Sequence, residues 1–334
     1  MKAIALISGG LDSLVAVSLV KKQGVAVTPL YFKTPFSKRD KNPKLNSEES
    51  LRKRLAALGL KLETIDISGA FLKMLLEPPH GFGSNMNPCI DCKITMLSMA
   101  RELMPKIGAS FVFTGEVLGQ RPMSQNRRTM ELIEESCGLK GFLLRPLSAR
   151  LLEETIPERE GWVRRDKLLG ISGRGRRPQM ELARGLGIKD YPNAAGGCLL
   201  TDAGFSGRLK ELVIHRELNA RTAELLKLGR HFRLSPRAKL IVGRNEEENN
   251  ALVAMAAEGD YLFMPADDMA GPSSIGLGEF DSGLVELSCA VTCRYCDLQG
   301  EGGAEIFYRR LPQEKRVSFP TRPLDDKHLA ALRI

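Results

Sequence analysis

The sequence lacks the marks of a membrane-spanning, disordered or secreted protein. Its 334 residues include one tryptophan and four histidines, and aromatic residues make up 6% of the chain. No apolar run approaches the roughly 18 residues that a membrane-spanning helix needs. The first apolar stretch, 3–7, is short and is soon followed by Asp12, which argues against a signal peptide. We therefore expect a cytoplasmic protein with no membrane attachment.

Composition and charge indicate two globular domains, one of them basic. Hydrophobic residues make up 43% and charged residues 27%, which is close to the soluble globular average. Residues 1–200 hold 31 Lys and Arg against 20 Asp and Glu, whereas residues 201–334 hold 18 against 20. The whole basic excess thus belongs to the first part of the chain. This balance favours a polyanionic partner, with its contact in that part.

Strands and helices alternate through the first part of the chain. This rhythm is typical of an α/β domain with a parallel sheet, whose ligands bind beyond the carboxyl ends of the strands. The apolar runs predict strands over 3–7, 25–32, 60–67, 110–114 and 142–144. The helical periodicity predicts helices over 13–23, 47–58, 90–106, 124–137 and 151–159.

A second, smaller α+β domain is expected after the rhythm stops in a Pro/Gly/Ala-rich stretch near residues 192–206. We place the domains at 1–200 and 201–334. In the second, the patterns predict a helix near 218–228, strands near Phe232 and 239–242, a helix near 247–258 and a mixed tail.

The strongest local signal is a glycine turn, SGGLDS at residues 8–13, between the first strand and the first helix. Gly9 and Gly10 let backbone amides approach an anion, and the helix N-terminus adds partial positive charge. Ser8 and Ser13 add hydroxyl donors, and Asp12 suits a Mg²⁺ ion or the orientation of the loop. An ordinary turn with an N-cap is the structural alternative. The loop lacks the Gly-Lys-Ser/Thr ending of a Walker loop.

This loop resembles the pyrophosphate loop of the PP-loop ATP pyrophosphatases, which adenylate a carbonyl oxygen. Two more segments, TGEVLGQ at residues 114–120 with Ser124 and Gln125, and LRPL at 144–147, are similar to tRNA 4-thiouridine synthases. The resemblance covers about residues 1–200, and the N-terminal RNA-binding modules and the rhodanese domain of the family are not recognisable. It implies ATP and Mg²⁺ as cofactors. It also implies that Phe32, Thr114, Gly115 and Gln120 line the nucleotide or uridine side of the crevice.

Cys89 and Cys92 form a CxxC pair where a helix begins, and Cys198 follows far downstream after a double glycine. Since a cytoplasmic chain rarely forms disulfides, we expect metal or redox chemistry. The set resembles cluster-dependent tRNA thiolases of the PP-loop group, in which three cysteines hold a 4Fe-4S cluster with one free iron. A catalytic persulfide or disulfide, and a zinc site or inert thiols, remain alternatives.

The other four cysteines are expected to be structural. Cys289, Cys293 and Cys296 have the CxxxCxxC spacing of radical SAM enzymes, but too little chain follows them for even a partial barrel. They share one face of a helix, which favours buried small hydrophobes over an accessory metal site. Cys137 stands alone near a helix end. His215 and His231 show no ligand pattern and are read as surface or core residues.

Basic residues crowd a segment rich in glycine ahead of Cys198. This mixture offers backbone and guanidinium donors in one loop and predicts contact with tRNA phosphates, the alternative being a solvated helix face. The candidates are Arg164, Arg165, Lys167, Arg174, Arg176 and Arg177. In the second domain, LIVGRN at 240–245 and DDMAGP at 267–272 look like the small RNA-binding domain of the NFACT group.

Together these observations predict an ATP-dependent tRNA thiolation enzyme, most simply one that forms 4-thiouridine. Its catalytic residues would be Asp12, Cys89, Cys92 and Cys198, with tRNA and a sulfur donor, either sulfide or a cysteine desulfurase, as partners. 2-Thiouridine formation, a ligase related to 7-cyano-7-deazaguanine synthase with zinc at the cysteines, and an RNA-binding regulator with a degenerate nucleotide site are the alternatives. The oligomeric state stays open, a dimer included.

Overall fold

The computed structural model describes residues 1–36, 47–188, 191, 198–298 and 302–334. The chain divides into two compact units, Met1–Thr201 and Asp202–Ile334. Among the described residues, no helix is both long and apolar enough to cross a membrane.

The first unit contains a five-stranded sheet in the order β3-β2-β1-β4-β5, and every pair of neighbours is parallel. The strands are β1 (Lys2–Leu6), β2 (Ala26–Lys33), β3 (Glu63–Asp66), β4 (Phe111–Thr114) and β5 (Leu143–Leu144). The predicted α/β class is therefore confirmed. The order reverses between β1 and β4, and such a switch point opens a crevice at the carboxyl ends of the strands.

Within the described residues of the first unit, seven helices connect and cover this sheet. Two of them begin at side-chain N-caps, because Ser47 accepts from Ser50 N and Asn126 accepts from Thr129 N. The helices are α1 (Leu11–Lys21), α2 (Glu48–Ala57), α3 (Ser68–Leu76), α4 (Cys89–Ile107), α5 (Arg127–Ser136), α6 (Ile156–Arg159) and α7 (Arg177–Gly185).

One helix prediction differs from the structure, and three helices were not predicted. The predicted helix over 151–159 is wrong: a 3₁₀ turn ends at Leu151, Leu152 is extended, and α6 is one turn opened by the Thr155–Glu158 capping box. The helices not predicted are α3, α7 and, in the second unit, the helix over Ala203–Ile214. In α3 the residue before the first turn has no capping side chain, and the spacing of the buried Phe71, Leu72 and Leu75 was the available signal.

The core of the first unit lies between the sheet and its helices. β1 contributes Ala3 and Ala5, α1 contributes Leu14 and Val17, and β4 contributes Phe111, all of them essentially inaccessible to solvent. Burying a leucine or phenylalanine side chain contributes about 1.5–3 kcal/mol each. The core therefore fixes β1, α1 and β4, the elements that lead into the crevice.

The second unit contains a six-stranded antiparallel sheet in the order β11-β10-β8-β9-β7-β6. Its strands are β6 (Arg230–Ser235), β7 (Ala238–Val242), β8 (Tyr261–Pro265), β9 (Ser274–Gly278), β10 (Ala304–Arg310) and β11 (Val317–Thr321). Its helices are α8 (Ala203–Ile214), α9 (Ala220–Leu225), α10 (Glu246–Met255), α11 (Ser282–Cys293) and α12 (Asp326–Leu332). The predicted α+β class is confirmed, and the mixed tail contains four strands.

The second cysteine group lies in the core of this unit. Cys289 and Cys293 on α11 are fully buried among apolar side chains, and Cys296 is 9% exposed. Burial raises the pKa of Cys289 and of Cys296 to about 12, so both stay protonated thiols at neutral pH. This confirms the interpretation of these three cysteines as small, buried hydrophobic residues. Cys137 is likewise buried, at the end of α5.

Candidate functional site

The predicted phosphate loop lies at the switch point of the parallel sheet. Gly9 has φ +77°, a left-handed conformation that glycine adopts without strain, and Gly10 is the extended residue before α1. Ser13 Oγ donates to the Gly10 carbonyl at 2.8 Å, which closes the turn. Gly10 provides no side-chain cap, so the first amides of α1 are free of a capping oxygen and can bind an anion.

The second predicted motif contacts this loop directly. Leu6 of β1 pairs in register with Thr114 of β4, so the segments that follow both strands emerge side by side. A β-carbon at Gly115 would lie 2.5 Å from Asp12 C and from Ser13 N, closer than atoms can approach. Position 115 therefore requires glycine for packing. Its place in the motif reflects contact between the two loops.

Asp12 is the acidic residue of the loop, and among the described residues only one of its two carboxylate oxygens has a hydrogen-bond partner. Its Oδ2 accepts a hydrogen bond from Gln120 Nε2 at 3.1 Å, while the buried Oδ1 has no partner among the described residues. Burial raises the pKa of Asp12, against the lowering effects of Gln120, Arg176 and Arg121. An orphaned carboxylate oxygen beside free helix amides fits a Mg²⁺ ion that accompanies a polyphosphate.

A buried ionic network lies under the TGEVLGQ segment. Glu116 accepts from Lys93 of α4 and, at 3.1 Å, from Arg145 Nε, and Arg145 also pairs with Glu134 of α5. Thr114 Oγ1 donates to Glu116 Oε2 at 3.1 Å. Burial alone would raise the pKa of Glu116, but Lys93 and Arg145 lower it to about 2. Thr114 thus supports the network, which fixes α4 to the edge of β4.

Phe32 and its neighbour differ in their relation to the loop. Phe32 is buried on β2 in register with Ile65 of β3. A small cavity of about 30 Å³ next to Ser8 and Gly9 is lined instead by Tyr31, together with Ser47, Glu48, Leu51 and Arg54. Adjacent strand residues face opposite sides of a sheet, which explains why Tyr31 reaches this cavity. Arg54 Nη1 also donates to the Gly9 carbonyl at 3.3 Å.

The three predicted thiols lie close enough to interact. Burial raises the pKa of Cys92 to about 12, and the neighbouring Cys89 and Cys198 add to the rise, against Lys93 and Arg121. Cys89, the first residue of α4, donates through Sγ to Ser124 Oγ at 3.0 Å. All three are partly exposed, and none of them forms a disulfide. The sequence alone could not establish that the three thiols lie close together, because Cys198 is more than a hundred residues from the CxxC pair.

The three thiols do not form a site for a single metal ion. Among the described residues, no three His, Cys, Asp or Glu side chains are arranged to hold a single metal ion. The chemistry of the donors still fits an iron–sulfur cluster, since three thiolates are the ligands it requires. A four-iron cluster is also larger than one ion, so its cysteines stand further apart.

Arg121 connects the thiols to the phosphate loop. It is exposed, and its positive charge lowers the pKa both of Asp12 and of Cys92. Hydrogen bonds make the same connection: Gln120 donates to Asp12, and Ser124, four residues further along the same segment, accepts from Cys89. The phosphate loop and the thiols therefore both border the segment that follows β4.

The basic segment divides into paired and unpaired residues. Four candidates have carboxylate partners: Arg164 and Lys167 pair with Asp166, Arg165 with Glu158, and Arg177 with Glu181. Among the residues that the structure describes, Arg174 and Arg176 have no such partner. Gly173 N donates to the Leu118 carbonyl at 2.7 Å, which joins their loop to the TGEVLGQ segment, and Arg176 lowers the pKa of Asp12. Of the six candidates, these two arginines are therefore the best placed to contact a phosphate group.

Sequence reasoning missed several polar residues near the crevice. Asp91, between the two cysteines, is buried and accepts from His80 N at 3.1 Å and lies 2.7 Å from His80 Nδ1. Lys93 lies one residue beyond the CxxC pair. Gln179 of α7 is fully buried, and within the described chain neither polar atom of its amide has a partner. No local sequence motif marks any of these residues. The only signal in the sequence that could have found them is their spacing from Cys89, Cys92 and Arg176.

Comparison with known proteins shows what each unit is similar to. Residues 1–156 match the family described as thiamine biosynthesis protein (ThiI), and residues 229–333 match that described as NFACT protein RNA binding domain. The resemblance predicted from the motifs is confirmed. The first unit is similar to the PP-loop tRNA sulfurtransferases, and the second to the NFACT RNA-binding domain.

Particular relatives agree with this class. A probable tRNA sulfurtransferase of Methanosarcina acetivorans is 36% identical over 126 residues, 35% of this chain and 28% of its own. One of Thermococcus kodakarensis is 30% identical over 155 residues, 46% of this chain and 39% of its own. A tRNA-specific 2-thiouridylase MnmA of Sulfurimonas denitrificans is 32% identical over 123 residues, 35% of each chain. The chain thus spans less than two fifths of the length of each of these relatives.

A solved structure described as a 4-thiouridine synthetase–RNA complex with bound ATP is 21% identical, with a TM-score of 0.37. The match covers 67% of this chain and 53% of that one. At this TM-score, the fold class rests on the strand order of the chain itself.

Proposed function

We propose that this chain is an ATP-dependent tRNA sulfurtransferase that forms 4-thiouridine. The observation that carries the proposal is that one segment contacts both groups, because Gln120 Nε2 donates to Asp12 Oδ2 at 3.1 Å and Ser124 Oγ accepts from Cys89 Sγ at 3.0 Å. This arrangement supports a reaction in which the phosphate loop and the thiols act on the same substrate. The relatives described as tRNA sulfurtransferases support the reaction class.

The first step is adenylation of a uridine carbonyl oxygen. The amides around Gly10 and the N-terminus of α1 bind the ATP phosphates, and Gln120 orients Asp12, whose free Oδ1 would hold Mg²⁺. The carbonyl oxygen attacks the α-phosphorus, pyrophosphate leaves, and the oxygen becomes part of a good leaving group. These residues act through position and electrostatics, as in other phosphate-transfer sites.

The second step is sulfur transfer. Sulfur presented at the thiols attacks the activated carbon, and AMP leaves with the original oxygen. Cys89, Cys92 and Cys198 would hold a 4Fe-4S cluster, which when bound supplies an open iron for sulfide. Arg121, close to both centres, stabilises the negative charge of the departing phosphate and of the incoming sulfur. Arg174 and Arg176 are placed to contact tRNA phosphates.

The test is a reconstitution with purified components. The full chain, purified without oxygen, is incubated with ATP, Mg²⁺, sulfide and an unmodified tRNA transcript, and the digested nucleosides are analysed by mass spectrometry. We expect 4-thiouridine together with release of pyrophosphate. Pyrophosphate release without any thionucleoside would overturn the sulfur-transfer step.

The same experiment separates the alternatives. 2-Thiouridine as the product would assign the activity of the 2-thiouridylase relatives, such as that of Sulfurimonas denitrificans. Iron and acid-labile sulfide in the purified protein support the cluster, whereas zinc alone supports the 7-cyano-7-deazaguanine synthase alternative. Absence of both metals, with thiolation by sulfide intact, would assign direct attack of sulfide on the adenylated carbon, whereas thiolation that requires a cysteine desulfurase with cysteine in place of sulfide would assign a persulfide to the thiols. Tight tRNA binding with no ATP turnover would indicate a regulator with a degenerate nucleotide site.

A further inference from the structure

Residues 80–88, which we call the lead segment, lie between α3 and α4 and are attached to the first turn of α4. At the start of the segment, the backbone N of His80 donates to Asp91 Oδ2 at 3.1 Å, and His80 Nδ1 lies 2.7 Å from Asp91 Oδ1. Asp91 lies between the two thiols of the CxxC pair. At the end of the segment, Cys92 N donates to the Pro88 carbonyl at 2.8 Å. Both ends are therefore held to the turn that carries this pair.

The middle of the lead segment is a closed turn with Asn85 at its tip. Gly83 N donates to the Asn87 carbonyl at 2.9 Å, which brings the two sides of the turn together. Asn85 has φ +57°, in the left-handed region that asparagine tolerates better than most other residues do. Gly83 also lies against the segment after β4, because a β-carbon there would collide with Met123 Sδ. The turn and its packing thus fix the place from which the Asn85 side chain extends.

Asn85 connects the lead segment to a part of the chain 116 residues away. Its Nδ2 donates to the Thr201 carbonyl at 2.9 Å. Thr201 in turn donates twice to the Cys198 carbonyl, from its N at 3.0 Å and from its Oγ1 at 2.7 Å. Three hydrogen bonds therefore run from the lead segment to the backbone that carries the third thiol.

The exposure of this link indicates what it contributes. Asn85 and Thr201 are both exposed, so water could satisfy their polar groups if the link were broken. Such a hydrogen bond contributes little to the free energy of unfolding, because it replaces bonds to water. It does select one arrangement of two chain segments that are distant in sequence. The link therefore matters for the position of Cys198 more than for the stability of the first unit.

We propose that Asn85 is a positioning residue that, through Thr201, holds the turn of Cys198 against the lead segment of the CxxC pair. In this role Asn85 acts on the thiols and does not touch the substrate. It raises the local concentration of the third thiol around the other two, as a short tether does. That the three thiols then handle one sulfur atom is a consequence that rests on the proposed function.

The test cross-links the thiols of the full chain with dibromobimane, whose two bromomethyl groups each alkylate one thiol. A chelator first removes any bound metal under reducing conditions, and peptide mass spectrometry then quantifies the cross-links from Cys198 to Cys89 or Cys92. Asn85→Gly keeps the left-handed backbone without strain and removes the Nδ2 donor, while Asn85→Asp replaces that donor by a carboxylate oxygen. We expect each change to reduce these cross-links about fivefold, the effect of losing one hydrogen bond.

The second half of the link is tested at Thr201. Thr201→Val removes the Oγ1 donor to the Cys198 carbonyl and should reduce the same cross-links, whereas Thr201→Ser keeps the hydroxyl and should restore the wild-type yield. Ser84→Ala is the matched control, because Ser84 is the exposed neighbour of Asn85 and its side chain makes no hydrogen bond to another described residue. This control should leave every cross-link unchanged.

The cross-link between Cys89 and Cys92 is the internal reference, since the link to Thr201 does not act on it. Wild-type yields of the Cys198 cross-links in both Asn85 variants would overturn the proposal. An equal fall in the reference cross-link would overturn it too, because the effect would then be a general disturbance of α4. Thermal melting identifies any Asn85 variant that fails to fold, and the comparison of Thr201→Val with Thr201→Ser then decides the question.

A thiolation assay of the same variants separates this role from the proposed function. Pyrophosphate release should continue at the wild-type rate, because the phosphate loop is intact, while thionucleoside formation falls about as much as the cross-links do. If the wild-type chain thiolates nothing while the variants still lose cross-links, the proposed function fails and the positioning role stands. If thiolation proceeds and the cross-links are unaltered, the positioning role alone fails.

Discussion

Cys89 and Cys92 begin a helix at the carboxyl edge of a parallel sheet, whereas Cys289 and Cys293 lie within a helix that covers an antiparallel sheet. The first pair is partly exposed, near the charges of Lys93 and Arg121, and the second is fully buried among apolar side chains. Both groups have spacings that are used for metal clusters in other proteins. Burial raises the pKa of Cys92 and of Cys289 alike to about 12, so the two groups differ in exposure and in their polar neighbours and not in the pKa of these thiols. Spacing alone therefore does not distinguish a candidate site from a structural pair.

The largest expected difference between the groups is in sulfur transfer. Cys92→Ser should reduce thionucleoside formation at least ~1000-fold, about 4 kcal/mol of activation free energy, because one of the three thiols proposed to present the sulfur is removed. ATP-dependent pyrophosphate release should continue, since the phosphate loop is intact. Cys293→Ala serves as the control and should thiolate like the wild type per folded molecule. Nucleoside mass spectrometry measures both. Equal loss in the two variants would remove the distinction between the groups.

The second prediction concerns the network that fixes the first group. Glu116→Gln should lower the free energy of unfolding of the first unit by about 3 kcal/mol, because Lys93 and Arg145 lose their buried partner. Alkylation of Cys92 should then become faster while that of Cys289 stays unchanged. Glu135→Gln, which breaks the exposed pair with Lys140, should cost less than about 1 kcal/mol. Urea unfolding measures the two losses of stability, and mass spectrometry measures the rates of alkylation. A larger loss in Glu135→Gln than in Glu116→Gln, or faster alkylation of Cys289 with no change at Cys92, would contradict the prediction.

The third prediction concerns stability of the second unit. Cys289→Ser should cost about 2 kcal/mol, because a hydroxyl needs a hydrogen bond that this apolar position does not offer. Cys89→Ser should change the unfolding free energy by less than about 1 kcal/mol, since Cys89 is partly exposed and Ser124 Oγ remains its partner. Chemical denaturation of each variant compares the two. A larger effect at Cys89 would reverse the assignment of structural and chemical roles.

The smallest effect is the dependence of stability on alkaline pH. Burial raises the pKa of Cys289 from 9.0 to about 12, so the unfolded thiol loses its proton before the folded one does. Its stabilising contribution is therefore present below pH 9 and falls as the pH rises, by about 1 kcal/mol between pH 9 and pH 10. Cys289→Ala should lose less stability over this interval than the wild type. If the unfolding free energies of the two proteins fall equally between pH 9 and pH 10, burial does not raise the pKa of Cys289.

The parallel sheet and its phosphate loop were predictable because both depend on local signals. Buried strands read as continuous apolar runs, and SGGLDS lies directly between a strand and a helix. The loop of residues 151–159 was mispredicted because apolar and charged residues there imitate helical spacing, while the Thr155–Glu158 capping box starts a new turn at Ile156. Capping geometry outweighed periodicity at this point.

The long-range parts of the crevice were less accessible to sequence reasoning. That Gln120 binds Asp12, and that Lys93 and Arg145 share Glu116, depends on strand order, which no local window contains. Arg164 and Lys167 pair with Asp166, which is their near neighbour in the sequence. The prediction nevertheless treated both charges as available for RNA. Choosing between Tyr31 and Phe32 needs the side of the sheet that each faces.

The contact of Gly115 with the start of α1 bears on how such a crevice diversifies. A library randomised at position 115 should return glycine almost alone, because any β-carbon would collide with the backbone of Asp12 and Ser13. Backbone packing at the junction of the two loops therefore constrains position 115 by itself, whatever ligand the crevice binds.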